Sequence, residues 1–396
     1  MMVIAKQPIK VMIAAGGTGG HMMPAYALSL ELQDRGHITH LVTDKRGAAV
    51  PGPLADQPVH ILDSGRMTGG LWVRARALAR IVRNIRVARR LLREERPNAV
   101  IGFGGYPALP TLLAARSLKI PICLHEQNAV LGRVNRLMAP MAEAIGLSYP
   151  DTEKLSRGMR ARTVLTGNPV RNEVAALAAK PYPALDEDHM LRLLVVGGSL
   201  GARVLSDVVP DALALLPPHL KNRLQVTQQC REEDLEKVRA RYKDAGIAAE
   251  LASFIADMPE RLMWTHLAIA RAGATTLAEL MCGGRPSILV PLPIATDDHQ
   301  TKNARHLADQ GGGWLIPETD FTPQTLAKRL QRLALEPERL RVAARRAHQL
   351  GRPQAAETLA DLVEEIASMR GVRPDQSASG KSASPFEVSD QDEAMS

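Results

Sequence analysis

Aromatic residues are scarce: Phe, Tyr and Trp make up only 3% of the 396 residues. That disfavours a platform that stacks nucleobases, and a sugar-stacking lectin for the same reason. Cysteine is scarcer. Cys123, Cys230 and Cys282 stand far apart with no C-x-x-C pair, so neither a zinc nor a redox motif is spelled out, and a reduced cytosolic chain is the simplest fit. Long apolar runs are missing too. The run 11–15 is too short for a signal peptide and ends in glycines. Residues 97–115 carry no charge, but Pro97, Pro107, Pro110, Gly102, Gly104 and Gly105 suit a strand, a loop and a helix start better than a membrane span. What remains, 45% hydrophobic and 23% charged, is ordinary globular material with room for two or three domains.

Short apolar runs at 10–15, 40–43, 99–103, 121–124, 144–147 and 163–166 alternate with helix-period segments, which predicts βαβ units and a parallel sheet. The pattern restarts at 191–196 and continues through 224–227, 250–253, 267–270 and 287–290. Each half opens with a buried strand feeding a G-G-[T/S]-x-G turn, at Gly16–Gly20 and again at Gly197–Gly201. This weak repeat predicts an α/β protein of two Rossmann-like domains, their parallel sheets facing an interdomain cleft. The expected boundaries are 1–171 and 191–350, joined by a helix and linker over 172–190. A helix over 351–370 is expected to return to the first domain. Residues 371–396, rich in Ser, Asp and Glu without an apolar period, read as a disordered tail.

Gly16–Gly20 can admit a phosphate to backbone N–H groups at a helix N-terminus, or merely make a tight turn. His21, in the first helical turn, favours the former: the helix N-terminus disfavours imidazolium and leaves a neutral ring able to accept a proton. A dinucleotide site fails on spacing, since Met22 stands where a third glycine is needed. Asp44 then reads as a solvent-exposed strand terminus. Gly102–Tyr106, His125–Asn128 and Gly167–Arg171 each follow a strand and open onto a shared crevice. Arg271–Glu279 is a strand end, a glycine turn and a helix start, able to hold a diphosphate on its amides and a ribose on Glu279. The blander reading has Thr275 as a cap and Glu279 in a surface pair. Asp297-Asp298-His299 suits N-capping and first-turn acids better than a metal. Gln300 and Asn303, on one helix face, suit sugar hydroxyls.

The chain carries a formal net charge of +8, and its basic residues are unevenly placed. Between Arg66 and Arg96 ten arginines face two glutamates. Over 71–92 they interleave with apolar residues at helical spacing, with Leu71 and Trp72 at the entry and Arg80, Arg83 and Arg86 beyond. A basic amphipathic helix of this kind suits an anionic membrane surface. A solvated helix packing one face on a sheet is the alternative. Nucleic acid is disfavoured by the missing aromatics and the lack of a DNA-binding motif.

Seven ordered motifs, GGTGGH, GFGGYP, HEQN, GNPVR, GGSLGA, RAGATTLAE and PLPIATDDHQTKNA, cover the chain to about residue 371. Together they resemble the MurG family, bacterial enzymes that move N-acetylglucosamine (GlcNAc) from UDP-GlcNAc onto undecaprenyl-pyrophosphoryl-muramoyl-pentapeptide, lipid I. Leu200 departs from the glutamine often found there. The resemblance implies a GT-B fold, with the acceptor lipid I on the first domain and the donor UDP-GlcNAc on the second. It also implies inverting, metal-independent chemistry without a cofactor, at the cytoplasmic face of the inner membrane. Cell-wall synthesis proteins are admitted as partners. Matched motif by motif, the implied donor residues are Thr18, Gly19, Gly20, Asn128, Arg171, Ser199, Ile255, Ala274, Thr275, Thr276, Leu277, Ala278, Glu279 and Gln300. His21 is the candidate base, with Glu126 as the second candidate.

Overall fold

The computed structural model describes residues 7–17, 19–50, 57–63, 71–185, 190–198 and 201–369. Thr18, Ser199, Leu200, the acidic stretch 186–188 and the segment 371–396 therefore lie outside the described residues. Within the helix Leu71–Glu95 the described side chains begin at Ala79, so Leu71 and Trp72 also fall outside.

The first sheet contains β1 (Lys10–Ala14), β2 (Ile38–Thr43), β3 (Val59–Ile61), β4 (Ala99–Gly102), β5 (Ile122–Glu126), β6 (Ala144–Leu147) and β7 (Thr163–Leu165). Their order is β3-β2-β1-β4-β5-β6-β7, with every pair parallel. The second sheet contains β8 (Leu191–Val196), β9 (Leu224–Gln229), β10 (Ala248–Ala252), β11 (Leu267–Ala270), β12 (Ser287–Leu289) and β13 (Gly313–Leu315). Its order is β10-β9-β8-β11-β12-β13, again all parallel. Among the described residues, eleven of the thirteen strands fall on the expected apolar runs; β3 and β13 do not. β11, and β1 after Lys10, are apolar because helices cover both sheet faces.

Both halves start at an inner strand, wind outward over two more, and cross back to the far side of the first. The reversal falls between β1 and β4 and between β8 and β11. Ligands in open α/β sheets bind beyond the carboxyl ends at such reversals, and both glycine turns lie there. The second glycine of each turn is left-handed, Gly17 at φ +93° and Gly198 at φ +81°, a conformation open to glycine at no steric cost.

The segment 172–190 is not simply a linker. Val174 and Leu177 join the second half's core beside Leu280 and Met281, so the helical start of that segment packs with the second sheet. The helix Ala355–Ser368 returns to the first sheet. Its Leu359, Val363 and Ile366 share a core with Val11, Ile13 and Leu28. Arg35 Nη1 donates to Asp361 at 2.6 Å and to Glu364 at 3.0 Å on that helix.

Candidate active site

A cleft of about 1340 Å³ lies between the carboxyl ends of the two sheets. From the first half it is lined by Gly19, Gly20, His21, Asn128 and Arg171, among others. From the second half come Ile255, Ala274, Thr275, Thr276, Glu279 and Gln300. Residues up to about 280 positions apart in the chain meet here because both reversals face the same space.

His21 is the third residue of the helix Gly19–Asp34. Part of its ring surface faces the cleft, but its Nδ1 atom is buried and has no hydrogen-bond partner. Burial, and secondarily the nearby His299 of the second half, lower its pKa to about 4. The ring is therefore neutral near pH 7, with a lone pair available.

Glu279 is part-buried one turn into the helix Ala274–Cys282, and its desolvation raises its carboxyl above the ordinary range. Arg171 opposes that shift by donating from Nη2 to Glu279 Oε1 at 3.3 Å. Arg171 Nε and Thr275 Oγ1 are further buried polar atoms without a partner on the cleft wall. The amides opening this helix have no intrahelical acceptor, which makes its N-terminus an anion site. The helix follows Gly273, and Thr275 makes no capping bond. Leu277 and Ala278 do not reach the cleft: both are buried in the core, and the Leu277 amide is spent on the Gly273 carbonyl.

Glu126 is not a cleft residue. Its Oε1 accepts from the Asn128 amide at 3.0 Å and from Asn128 Nδ2 at 3.2 Å. Its Oε2 accepts from the Gly132 amide at 2.8 Å and from Asn135 Nδ2 at 2.9 Å. Four donors saturate the carboxylate, so the reading of Glu126 as a base is corrected: it holds the loop after β5 in shape. Burial pushes its pKa up while those four bonds pull it back.

Asp44 is corrected as well. It is only 1% exposed, not a solvated strand end. Its Oδ1 accepts from the Gly17 amide at 3.0 Å and the Gly47 amide at 2.9 Å, which fixes the first glycine turn. Asp297 and Asp298 do not cap a helix through their side chains, and both are left-handed at φ +56° and +52°. Asp298 accepts from the Thr301 hydroxyl at 2.6 Å. Asp297 bridges the halves, bonded to Arg136 Nη2 at 2.6 Å and Lys154 Nζ at 2.9 Å.

Asn303 is fully buried rather than facing the cleft. It accepts from the Ala129 amide at 2.8 Å and donates to Asn128 Oδ1 at 3.1 Å and the Ala272 carbonyl at 3.2 Å. Gln300 lines the cleft with its Oε1 already accepting from the Leu292 amide at 2.9 Å, which leaves its amide nitrogen to donate. Phe254, beside Ile255, is 61% exposed and lines the same cleft. Its signal in the sequence was a rare aromatic directly after a strand, which no motif singled out.

On the helix Leu71–Glu95, Arg83 and Arg86 are exposed, as are the apolar Val82 and Val87 beside them. Arg80 is tied to Asp63 at 3.6 Å. Among the described residues, no helix is long and apolar enough to cross a membrane.

Comparison with known proteins agrees with this architecture. Residues 11–147 match the glycosyltransferase family 28 N-terminal domain, and residues 192–365 match the family's C-terminal domain. A Zymomonas mobilis protein named UDP-N-acetylglucosamine--N-acetylmuramyl-(pentapeptide) pyrophosphoryl-undecaprenol N-acetylglucosamine transferase is 53% identical over 89% of this chain and 92% of its own length. A protein of the same name from Sphingopyxis alaskensis is 54% identical over 90% of this chain and 91% of its own. Among solved structures, Acinetobacter baumannii MurG aligns with a TM-score of 0.72 at 32% identity, covering 90% of this chain and 100% of that one. A UDP-GlcNAc 2-epimerase from Neisseria meningitidis, 14% identical with a TM-score of 0.61, shares the fold alone. Two domain matches spanning both sheets, and relatives identical at about half of all positions, establish that the chain is a member of glycosyltransferase family 28 with the two-domain GT-B fold.

Proposed function

We propose that this enzyme transfers GlcNAc from UDP-GlcNAc to the C4 hydroxyl of the muramoyl sugar in lipid I, giving β1→4-linked lipid II. The observation that carries this reading is the cleft wall itself. His21, Arg171 and Thr275 come from both halves and line one space, and each carries a buried side-chain polar atom without a partner. A buried polar atom without a partner is costly, and a ligand that supplies one offsets that cost.

An inverting displacement needs a base on the attacking hydroxyl and charge stabilisation on the departing diphosphate. In this reading His21 takes the C4 hydroxyl proton as the new C1–O bond forms and the C1–O bond to UDP breaks. The first-turn amides of the helix Ala274–Cys282 meet the charge that develops on UDP, with Ser199 and Thr18–Gly20 completing the diphosphate site. Glu279 accepts the ribose hydroxyls and Arg171 holds it in place. Backbone groups at Ile255 meet uracil, while Gln300 and Asn128 read the GlcNAc. Glu126 acts as a positioning residue, because it fixes Asn128.

The lipid substrate lies in a membrane, and a peripheral enzyme on the cytoplasmic face fits the exposed Arg83 and Arg86. Exposed Val82 and Val87 add apolar surface to the same helix. The decisive experiment incubates the purified chain with UDP-GlcNAc and a lipid I analogue. UDP release that requires both is the expected result. Release without acceptor, or with an unrelated glycolipid in its place, would mean that the acceptor is wrong.

A further inference from the structure

Away from the cleft, three side chains with ligand atoms converge near the amino ends of the first sheet's strands. His40 lies in β2, His60 in β3, and Glu95 ends the helix Leu71–Glu95. β2 and β3 pair with Val42 opposite His60, which makes His40 and His60 diagonal neighbours on one sheet face. The helix covers that same face, since its Ala88 and Leu92 share a core with Val42. The ligand atoms of all three residues lie within 4.8 Å of one another.

Two of the three separations are close to those of a coordination shell, the shorter being a hydrogen bond between the two imidazoles that an ion would replace. His40 Nδ1 and His60 Nε2 are 3.3 Å apart, with the rings stacked at a 5.5 Å centroid separation, and His40 Nδ1 is 3.6 Å from Glu95 Oε2. A tetrahedral ion with bonds of about 2.0–2.1 Å sets its ligand atoms roughly 3.3–3.4 Å apart. Two imidazole nitrogens and one carboxylate oxygen are the donor set of a borderline-soft divalent ion, with one position left for solvent. His40 is buried, whereas His60 and Glu95 are part-exposed, so an ion has a route in.

We propose that His40, His60 and Glu95 form a binding site for a zinc-class divalent cation, separate from the transfer chemistry. Bound there, the ion ties the end of the basic helix to β2 and β3. The site is contested. Lys10 Nζ lies 2.8 Å from Glu95 Oε2, so metal binding exchanges an ammonium for the ion on the same oxygen.

Lys10 supplies the discriminating test. The chelator-treated full chain is titrated with Co²⁺, read by tetrahedral d–d absorption, and back-titrated with Zn²⁺, with circular dichroism as a check on folding. One equivalent is expected to bind. His60→Ala and Glu95→Gln should each weaken binding by more than about tenfold, the loss that even outer-shell changes can produce. Lys10→Met should tighten it severalfold, which a simple ion pair with no metal role would not do. Lack of a one-equivalent band in the wild type overturns the proposal, as does equal affinity in His60→Ala or weaker binding in Lys10→Met.

Discussion

His21 concentrates the proposed chemistry in one ring. If it is the base, His21→Ala should lower kcat by about 10²–10⁴-fold while donor KM stays nearly unchanged. Because its free-enzyme pKa is about 4, kcat/KM should stay flat as pH falls through 6.5 and drop only toward pH 4. Initial rates between pH 5 and 8 check this, and an inflection near 6.5 would remove His21 from the role. His125 has a related but purely structural consequence. Its Nε2 donates to the Gly167 carbonyl at 2.9 Å, its Nδ1 accepts from Gln127, and burial lowers its pKa to about 4. The unfolded chain therefore binds a proton on His125 between pH 6.5 and 4 that the folded chain does not. Stability rises with pH across that window, by on the order of 3 kcal/mol from this group. Denaturant midpoints at pH 7 and pH 4.5 should show the loss, and His125→Gln should shrink it. His21 and Glu279 were legible as single residues because each stands in the first turns of a helix that follows a glycine turn. Asp44 was not, because its role is a bond to a second turn 27 residues away, invisible to local spacing.

Elements explain why Glu126 misled the sequence reading. A carboxylate at the end of β5 looks poised for acid–base work, but the loop that follows folds back and places four donors on it. Glu126→Gln puts an amide NH₂ against donors, which should cost about 1–3 kcal/mol of stability. Activity should fall far less than in His21→Ala, and a matched collapse in kcat without loss of stability would restore Glu126 as a base. The two strands absent from the sequence reading have similar physical causes. β3 is only three residues long with a histidine at its centre, too short for a period to emerge. β13 begins within Gly311-Gly312-Gly313, which reads as loop. Gly313 is there because a Cβ would sit 2.6 Å from the Ser287 carbonyl oxygen of the neighbouring strand. The basic helix, by contrast, was plain from periodicity alone. Replacing Arg83 and Arg86 with Glu should release the protein from anionic vesicles, and more so at low salt. Vesicle co-sedimentation reads this, and equal binding by both forms would leave a solvated helix.

For the whole molecule, the question is how two sheets with separate cores hold one cleft. The α/β class and the doubled architecture were legible because the strand–glycine turn–helix unit occurs twice. The clamp between the halves was not, since it joins residues about 140 to 175 positions apart. Among the described residues it includes ion pairs, a buried amide and an edge-on contact of the Tyr149 and His306 rings. Asp297 with Arg136 and Lys154, and Lys302 with Glu153, are ion pairs whose side chains keep roughly a quarter to a half of their surface exposed. Pairs of that kind are worth about 0–1 kcal/mol each. Asn303 is different, because its buried amide satisfies the Ala129 N–H and the Ala272 carbonyl at once, and removing it strands both at about 1–3 kcal/mol apiece. Asn303→Ala should therefore uncouple the halves, splitting a single calorimetric unfolding transition into two and raising donor KM through Asn128, while Asp297→Ala leaves one transition. If Asp297→Ala splits the transition and Asn303→Ala does not, exposed charge rather than the buried amide closes the cleft.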